Sequence, residues 1–435
     1  MKTLILDGSH SNDPQAINVT NALLKHLPDA ETIIVRDQKI GNCAGDFFCW
    51  VRNPGMCNTN DDNRIIAEKI INSDLVIYLT PVTFGGYSSE LKRMIDHQIQ
   101  NILPFFANVN GEVHHQKRYK QYPNMLTIGW LDEPNAQAEA IFRHLVHRNA
   151  INMYAKTSVC GLVIVDQLEA DLDSQAESWL KAIASGSNSP VPALPSINTT
   201  SSEATPIRRA VLLVGSPRTK KSTSASLGEY LFEQLKTRGI ETETIQIYTS
   251  INSPERMKIM YEAIDNADLV LLAFPLYVDS LPAPVIATLE KITAHRKDKR
   301  SHIRFAAISN CGFPGAEHNN TALAICSEFS REAGFAWLGS LALGAGEGIV
   351  HGTPLNELDG RAIPLKQALD LAAEALAYGQ PIPQSARDLL AKPVIPNWMY
   401  TFMGKLGWEQ QAKQYGMKKI IKRQPYLVNQ ENKHV

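Results

Sequence analysis

Disulfide-forming cysteine, aromatic mass, net charge and long apolar runs are all sparse in this sequence. Six cysteines in 435 residues make no disulfide scaffold. The 43 Lys and Arg nearly cancel the 44 Asp and Glu, leaving a net charge of −1. That argues against a protein held to nucleic acid by phosphate attraction. Mean hydropathy is −0.18, and no apolar run approaches the roughly 18 residues of a membrane helix. No signal peptide is expected, because Met1-Lys2 runs through only four residues into Asp7-Gly8, which reads as a first strand and turn. Hydrophobic residues make up 44% of the chain. The length is too great for one core and predicts two domains in a cytoplasmic α/β protein.

One stretch departs from globular composition. Ser185 to Arg208 is rich in Ser, Pro, Thr, Asn and Gly without hydrophobic period, the signature of a linker. The predicted domains are therefore 1–184 and 208–384, joined by a linker over 185–207 and followed by a helical tail over 385–435. The halves repeat each other. Thr3–Ser9 and Ala210–Ser216 are short apolar runs ending in Gly-Ser. Helical stretches follow at Ile17–Leu27 and Ser224–Arg238, then β-branched runs at Glu31–Val35 and Glu241–Ile247. Ser73–Pro81 aligns with Ala267–Pro275, both continuous enough for strands buried on two faces. Later strands are expected at Met125–Gly129, Ser158–Val165, Arg304–Ser309 and Trp337–Leu343. Strands alternating with helices predict two tandem doubly wound five-stranded parallel sheets of the flavodoxin type. Gly8 and Asp74 are 66 residues apart, against 53 from Gly215 to Asp268. The 13 extra residues coincide with a cysteine-containing segment, read as an insertion on the common frame.

Two kinds of turn carry chemistry. In Gly215-Ser216-Pro217-Arg218-Thr219-Lys220-Lys221-Ser222-Thr223-Ser224, hydroxyls and backbone N–H groups at a helix N-terminus form an anion site, with Arg218 as a charged donor. An ordinary capped helix with a solvated basic turn is the alternative. The first-half turn, Gly8-Ser9-His10-Ser11-Asn12-Asp13-Pro14, has hydroxyls but no Arg, and Asp13 would repel phosphate. The alternative there is Asp13 capping a helix that starts at Pro14. After the third strands come Thr80–Ser89 and Phe274–Pro282, where proline fixes the turn, glycine admits a flat ligand, and Phe84, Tyr87 and Tyr277 offer stacking faces. Ligands in doubly wound sheets sit at these strand ends.

The Pro-x-x-Phe/Tyr-Gly turn, followed by Ser-Glu-Leu-Lys and an Ile-Asp pair, resembles the NADPH-dependent FMN reductase family, which includes quinone reductases and iron-sulfur flavoproteins. Gly-Ser-Pro-Arg at 215–218 is similar to that family's phosphate loop. The resemblance implies that Ser216, Arg218, Ser222 and Ser224 hold the FMN phosphate while Pro275, Leu276 and Tyr277 border the ring. In the first half it implies ring contacts from Pro81, Val82, Thr83, Phe84 and Gly85, with Ser9, Ser11 and Asn12 at the phosphate position. It also implies NAD(P)H as donor and a small acceptor such as a quinone or free flavin. A redox protein partner and a homodimer, or a pairing of the tandem halves, are further expectations. The alternative is a flavodoxin-like electron carrier, or an iron-sulfur flavoprotein, without NAD(P)H turnover of its own.

Cys43, Cys49 and Cys57 lie within 15 residues, a spacing that suits a soft-metal site in a reducing compartment. Iron-sulfur flavoproteins carry four cysteines in the similar segment, and here Asp46 stands in the second place. A cluster held by Cys43, Asp46, Cys49 and Cys57, a redox thiol pair, and a loop that keeps its shape without metal all remain open. The apolar mass of Phe47, Phe48, Trp50 and Pro54 favours the last, so no iron–sulfur cluster is expected. Gly111–Tyr119, with Glu112, His114 and His115, reads as a surface loop. His114 and Tyr277 are candidate proton donors on the acceptor side. The tail combines Trp398, Tyr400, Phe402 and Trp408 with Lys413, Lys418, Lys419, Lys422 and Arg423. Packing on the protein is expected, rather than membrane contact.

Overall fold

The computed structural model describes residues 1–165, 169–199, 205–297, 299 and 302–427. Residues 200–204 of the expected linker and 428–435 of the expected tail lie outside the described residues. The chain divides into two compact units, Met1–Ala193 with the residues from Thr401 onward, and Leu194–Tyr400.

In the first unit, β1 (Thr3–Asp7), β2 (Glu31–Ile34), β3 (Leu75–Pro81), β6 (Asn124–Leu131) and β7 (Ser158–Ile164) form a parallel sheet in the order β2-β1-β3-β6-β7. Between β3 and β6, β4 (Ile102–Val109) and β5 (Glu112–Lys117) make a separate antiparallel pair. In the second unit, β8 (Arg209–Val214), β9 (Glu241–Gln246), β10 (Leu269–Pro275), β11 (Arg304–Asn310) and β12 (Ala336–Leu343) pair in the order β12-β11-β10-β8-β9. Counted within each unit, both sheets run 2-1-3-4-5, the flavodoxin order. The central strands are buried almost throughout, β3 and β10 from their first residue to their sixth.

The helices form where apolar residues recur with helical spacing and a cap closes the start. The helix Pro14–His26 begins with proline at its first position, and the Asp13 side chain accepts from the Gln15 N–H. It packs with Glu169–Ser185 over Ile5, Leu75, Ile77 and Ile128. In the second unit Thr223–Thr237 and Ile363–Ala377 cover Leu212, Leu271 and Ile308. Each fully buried leucine or isoleucine there contributes about 1.5–3 kcal/mol.

One expectation is corrected. The segment around His114 and His115 is a hairpin and not a surface loop: Asn110 (φ 53°) and Gly111 (φ 93°) form the left-handed pair that joins β4 to β5. His115 stacks on Phe106 at 5.1 Å and packs at a tilt against Trp50 at 4.7 Å, and burial lowers its pKa to about 4. The helix after β3 is an α-helix over Ser89–Ile95, and its continuation Asp96–Asn101 tightens to a 3₁₀ turn. The fully buried Lys92–Asp96 ion pair spans this junction.

The tail is tied to the first unit from Thr401 on. Trp408 packs edge-on against Phe47 and Trp50, at 5.3 and 5.2 Å. Arg118 donates to the Ile421 and Arg423 carbonyls, and the Tyr426 hydroxyl donates to Gln100 Oε1.

The strand-end glycines are required by close approach. A Cβ on Gly8 would lie 2.4 Å from Leu91 Cβ, and one on Gly215 would lie 2.6 Å from Val285 Cγ2. Gly8→Ala and Gly215→Ala are expected each to destabilise its own unit by about 1–3 kcal/mol. Urea unfolding followed by a probe in each unit measures this, and an unchanged midpoint would contradict the packing argument.

Candidate functional site

In the second unit the anion turn is built at the carboxyl end of β8. The Gly215 N–H donates to the Ala273 carbonyl, seating the turn against β10. The chain then passes through a 3₁₀ turn, Thr219–Lys221, entered by left-handed Thr219 (φ 49°). Ser222 caps the helix Thr223–Thr237: its Oγ accepts from the Ala225 N–H and donates to the Thr219 carbonyl. No acidic residue occupies the first turn, so the helix dipole presents positive charge there. Ser216, Ser222 and Ser224 are all buried. Ser224 Oγ accepts from Asn310 Nδ2 at 2.7 Å, which leaves its own proton out of that bond.

Arg218 is already engaged. Its Nη1 and Nη2 donate to Glu347 Oε1 and Oε2 at 2.7 and 2.5 Å. His351 Nδ1 lies 2.9 Å from the same carboxylate. Burial raises the Glu347 carboxyl, but the Arg218 hydrogen bonds and the neighbouring charges more than reverse this and hold it below the usual glutamate value. The same bonds push the Arg218 guanidinium up. Glu347 sits on a short helix, Gly346–Ile349, that leans on the anion turn. A Cβ on Gly352 would strike the Lys221 carbonyl at 2.5 Å, and Ser226 Oγ donates to the Thr353 carbonyl. No spacing signal marks Glu347, which lies 129 residues from Arg218.

The turns after the third strands are built alike in both units. Tyr277 and Ser280 exchange backbone hydrogen bonds around Val278 (φ 47°) and Asp279 (φ 56°); Thr83 and Gly86 do so around Phe84 (φ 53°) and Gly85 (φ 77°). Both are two-residue turns with left-handed central residues. A left-handed β-branched valine stores strain of the sort found at ligand sites. Pro275, Leu276 and Tyr277 are half-buried, as are Pro81, Val82 and Thr83. Phe84 and Gly85 are buried, and a Cβ on Gly85 would lie 2.8 Å from Ile141 Cβ. The first-unit turn is thus pressed onto the helix Ala136–Asn152. Gly312, beyond β11, has open space where a Cβ would stand.

The first-unit phosphate-type turn differs. Ser9 is buried and donates its N–H to Asp7 Oδ1, while Ser11 and Asn12 are exposed. The cation that the turn itself lacks comes from Arg36, just after β2: Nη1 donates to Ser9 Oγ and Nη2 to Asn12 Oδ1, both at 2.8 Å. Since β2 lies beside β1, the residues that follow it reach this turn; that topology was the available signal for Arg36. Asp13 holds the helix N-terminus and accepts from Trp130 Nε1 at 3.0 Å. His114 is 1% exposed, with Nδ1 and Nε2 directed at Asn152 and Glu112. It offers no open face to an acceptor.

Cys43, Cys49 and Cys57 line one small cavity with Asp46 and His97. Asp46 Oδ1 accepts from the Phe48 N–H, a local turn bond. Burial pushes the Cys43 thiol up to about 12 and the Cys49 thiol well above its ordinary value. Cys57 differs. Burial raises it, but His97, with Nδ1 3.5 Å from Sγ, brings it below the ordinary value. His97 Nε2 donates to the Gly41 carbonyl at 2.8 Å, which turns Nδ1 toward the sulfur. All six cysteines are free thiols. Among the described residues, no group of three His, Cys, Asp or Glu side chains is placed to hold a metal ion. Iodoacetamide at neutral pH is expected to alkylate Cys57 ahead of the other five. His97→Ala should slow that reaction, as read by peptide mass spectrometry. Equal labelling of Cys57 in both proteins would refute the pairing.

Comparisons with known proteins follow the same outline. An iron-sulfur flavoprotein of Methanocaldococcus jannaschii is 33% identical over 76 residues, covering 18% of this chain and 38% of that protein. One from Archaeoglobus fulgidus is 31% identical over 99 residues, covering 22% and 48%. The chain therefore spans less than half the length of these curated relatives. Among solved structures, an FMN-dependent NADH-azoreductase from Bacillus anthracis in complex with FMN is 13% identical, with a TM-score of 0.31, covering 39% of this chain and 100% of that one. An NAD(P)H:quinone oxidoreductase from Methanothermobacter marburgensis is 14% identical, with a TM-score of 0.29, covering 42% and 96%. The family model described as NADPH-dependent FMN reductase matches residues 1–114 and again 208–332. With both halves matched, over more than half its length, the chain belongs to the NADPH-dependent FMN reductase family.

Proposed function

We propose that this protein binds FMN in its second unit and uses it to pass electrons from NAD(P)H to a small acceptor such as a quinone or free flavin. The observation that carries this reading is an anion already seated on the anion turn: the Glu347 carboxylate occupies the Arg218 fork beside an acid-free helix N-terminus. A phosphate makes the same bidentate pairing with arginine and suits the same helix end. The donor set thus fits the cofactor's phosphate in chemistry, provided Glu347 yields its position.

FMN, when bound, supplies the hydride and electron transfer. The chain's residues supply the rest. Arg218 and the Ser216 and Ser224 hydroxyls would bind the phosphate, while Ser222 keeps the helix start ordered. Pro275, Leu276 and Tyr277 would border the ring and keep water from it. The Tyr277 hydroxyl is the proton donor we assign to the acceptor side. The first unit keeps the matching ring-side turn, Pro81–Gly85, but Asp7 and Asp13 already fill the polar positions of its phosphate-type turn. We therefore assign one flavin per chain.

Arg218→Ala is expected to weaken FMN binding about ten- to hundredfold, the scale of hydrogen bonds to a charged group. Riboflavin, which lacks the phosphate, should bind the variant and the parent alike. Fluorescence titration reads both affinities. A protein that neither retains FMN nor takes it up would end this reading, and so would FMN binding without NAD(P)H-driven reduction of any quinone or flavin.

A further inference from the structure

We infer that Glu347 is an internal stand-in for the cofactor phosphate, and that it competes with phosphate-bearing flavin for Arg218 in the second unit. This rests on the proposed FMN site. In the structure the two Arg218 donors that a phosphate would use point at the two Glu347 oxygens. A ligand phosphate and this carboxylate cannot both take the Arg218 fork, so binding requires exchange.

The surroundings of Glu347 suit exchange. Its side chain is 28% exposed and that of His351 is 75% exposed, so the carboxylate lies at the surface edge of the turn. The short helix carrying it runs between two left-handed non-glycine residues, Ala345 (φ 57°) and His351 (φ 48°). Such backbone persists only while its surroundings hold it, and the Arg218 pair is one of the contacts that do. The outer attachments are separate from that pair: Gly346 N–H donates to the Cys311 carbonyl, and Ser226 Oγ to the Thr353 carbonyl. Glu347 can leave the fork without breaking either. His351 Nδ1, already 2.9 Å away, remains beside it.

Charge decides the competition. A phosphomonoester carries about −1.5 to −2 at neutral pH and has three acceptor oxygens. Glu347 carries −1 and has two. FMN therefore displaces the carboxylate and finds Arg218 still charged. A flavin without phosphate has nothing to offer Arg218, leaves the pair intact, and gains nothing from the turn. The carboxylate thus lowers the apparent affinity for FMN by the fraction of molecules in which the fork is closed. In return it keeps Arg218 neutralised and in place when no cofactor is bound.

The test uses the full chain stripped of flavin, with Glu347→Gln and Glu347→Asp beside the parent. FMN and riboflavin are titrated by fluorescence, and inorganic phosphate by calorimetry. We expect Glu347→Gln to tighten FMN and phosphate about tenfold or more and to leave riboflavin unchanged. Glu347→Asp keeps the charge but retracts it by one methylene, and should fall between. Weaker or unchanged phosphate binding in both variants would overturn the proposal, because Glu347 would then orient Arg218 for the ligand without occupying its position. Equal tightening of riboflavin and FMN would also overturn it, since the loop would then act on the ring. Tightened phosphate with no flavin bound by any of the three proteins would uphold the exchange at Arg218 and instead sink the FMN reading.

Discussion

A strand buried on both faces has nowhere to put polar chemistry except at its ends, and this constraint organises both units. β3 and β10 are covered along almost their whole length. Polar side chains therefore gather at the carboxyl edge, in the segments after β1, β2, β3, β8, β10, β11 and β12. The glycines at the ends of β1 and β8 follow from the same packing. The helices after β3 and β10 come so close that Leu91 and Val285 leave no room for a Cβ. The sites are consequences of a core that admits no alternative position for them.

The two units build the turn after the third strand in the same way and the turn after the first strand differently. Thr83–Gly86 and Tyr277–Ser280 share a left-handed two-residue turn and its pair of backbone hydrogen bonds, although their sequences have little in common. At the turn after the first strand the cation comes from the turn itself in one unit, as Arg218, and from beyond the neighbouring strand in the other, as Arg36. A guanidinium has been kept beside each turn. What differs is how the balancing carboxylates are attached.

Much of the architecture was legible because its signals are local. Continuous apolar runs, Gly-Ser at strand ends and alternation with amphipathic helices identified the ten parallel strands, and Asp13-Pro14 marked a helix start. The Asn110-Gly111 hairpin was also written in the sequence, but the polar residues that follow it resemble a loop. Arg36, His97 and Glu347 were not legible. Each reaches its site from a different element: Arg36 from beyond β2, His97 from the 3₁₀ turn 40 residues after Cys57, and Glu347 from beyond β12. No periodicity or motif spacing records such meetings, because they depend on which strand ends are neighbours. The second cysteine-segment position shows the converse. Asp46 reads as a substituted ligand in sequence, whereas in the fold it accepts a local backbone N–H.

The attachment of the carboxylates separates the two turns structurally. Asp13 is fixed twice: it caps the helix Pro14–His26, and the Trp130 indole holds its second oxygen. Removing it from the helix end would leave backbone N–H groups unsatisfied and a buried indole donor unpaired, costs that an incoming anion would have to offset. Glu347 caps nothing. Among the described residues its oxygens meet the side chains of Arg218 and His351, at an edge that water reaches. Exchanging it for another anion leaves no backbone group bare. The carboxylate at the first turn is thus part of the helix cap, while the one at the second is held by side-chain charge, which is why we assign the exchangeable position to the second.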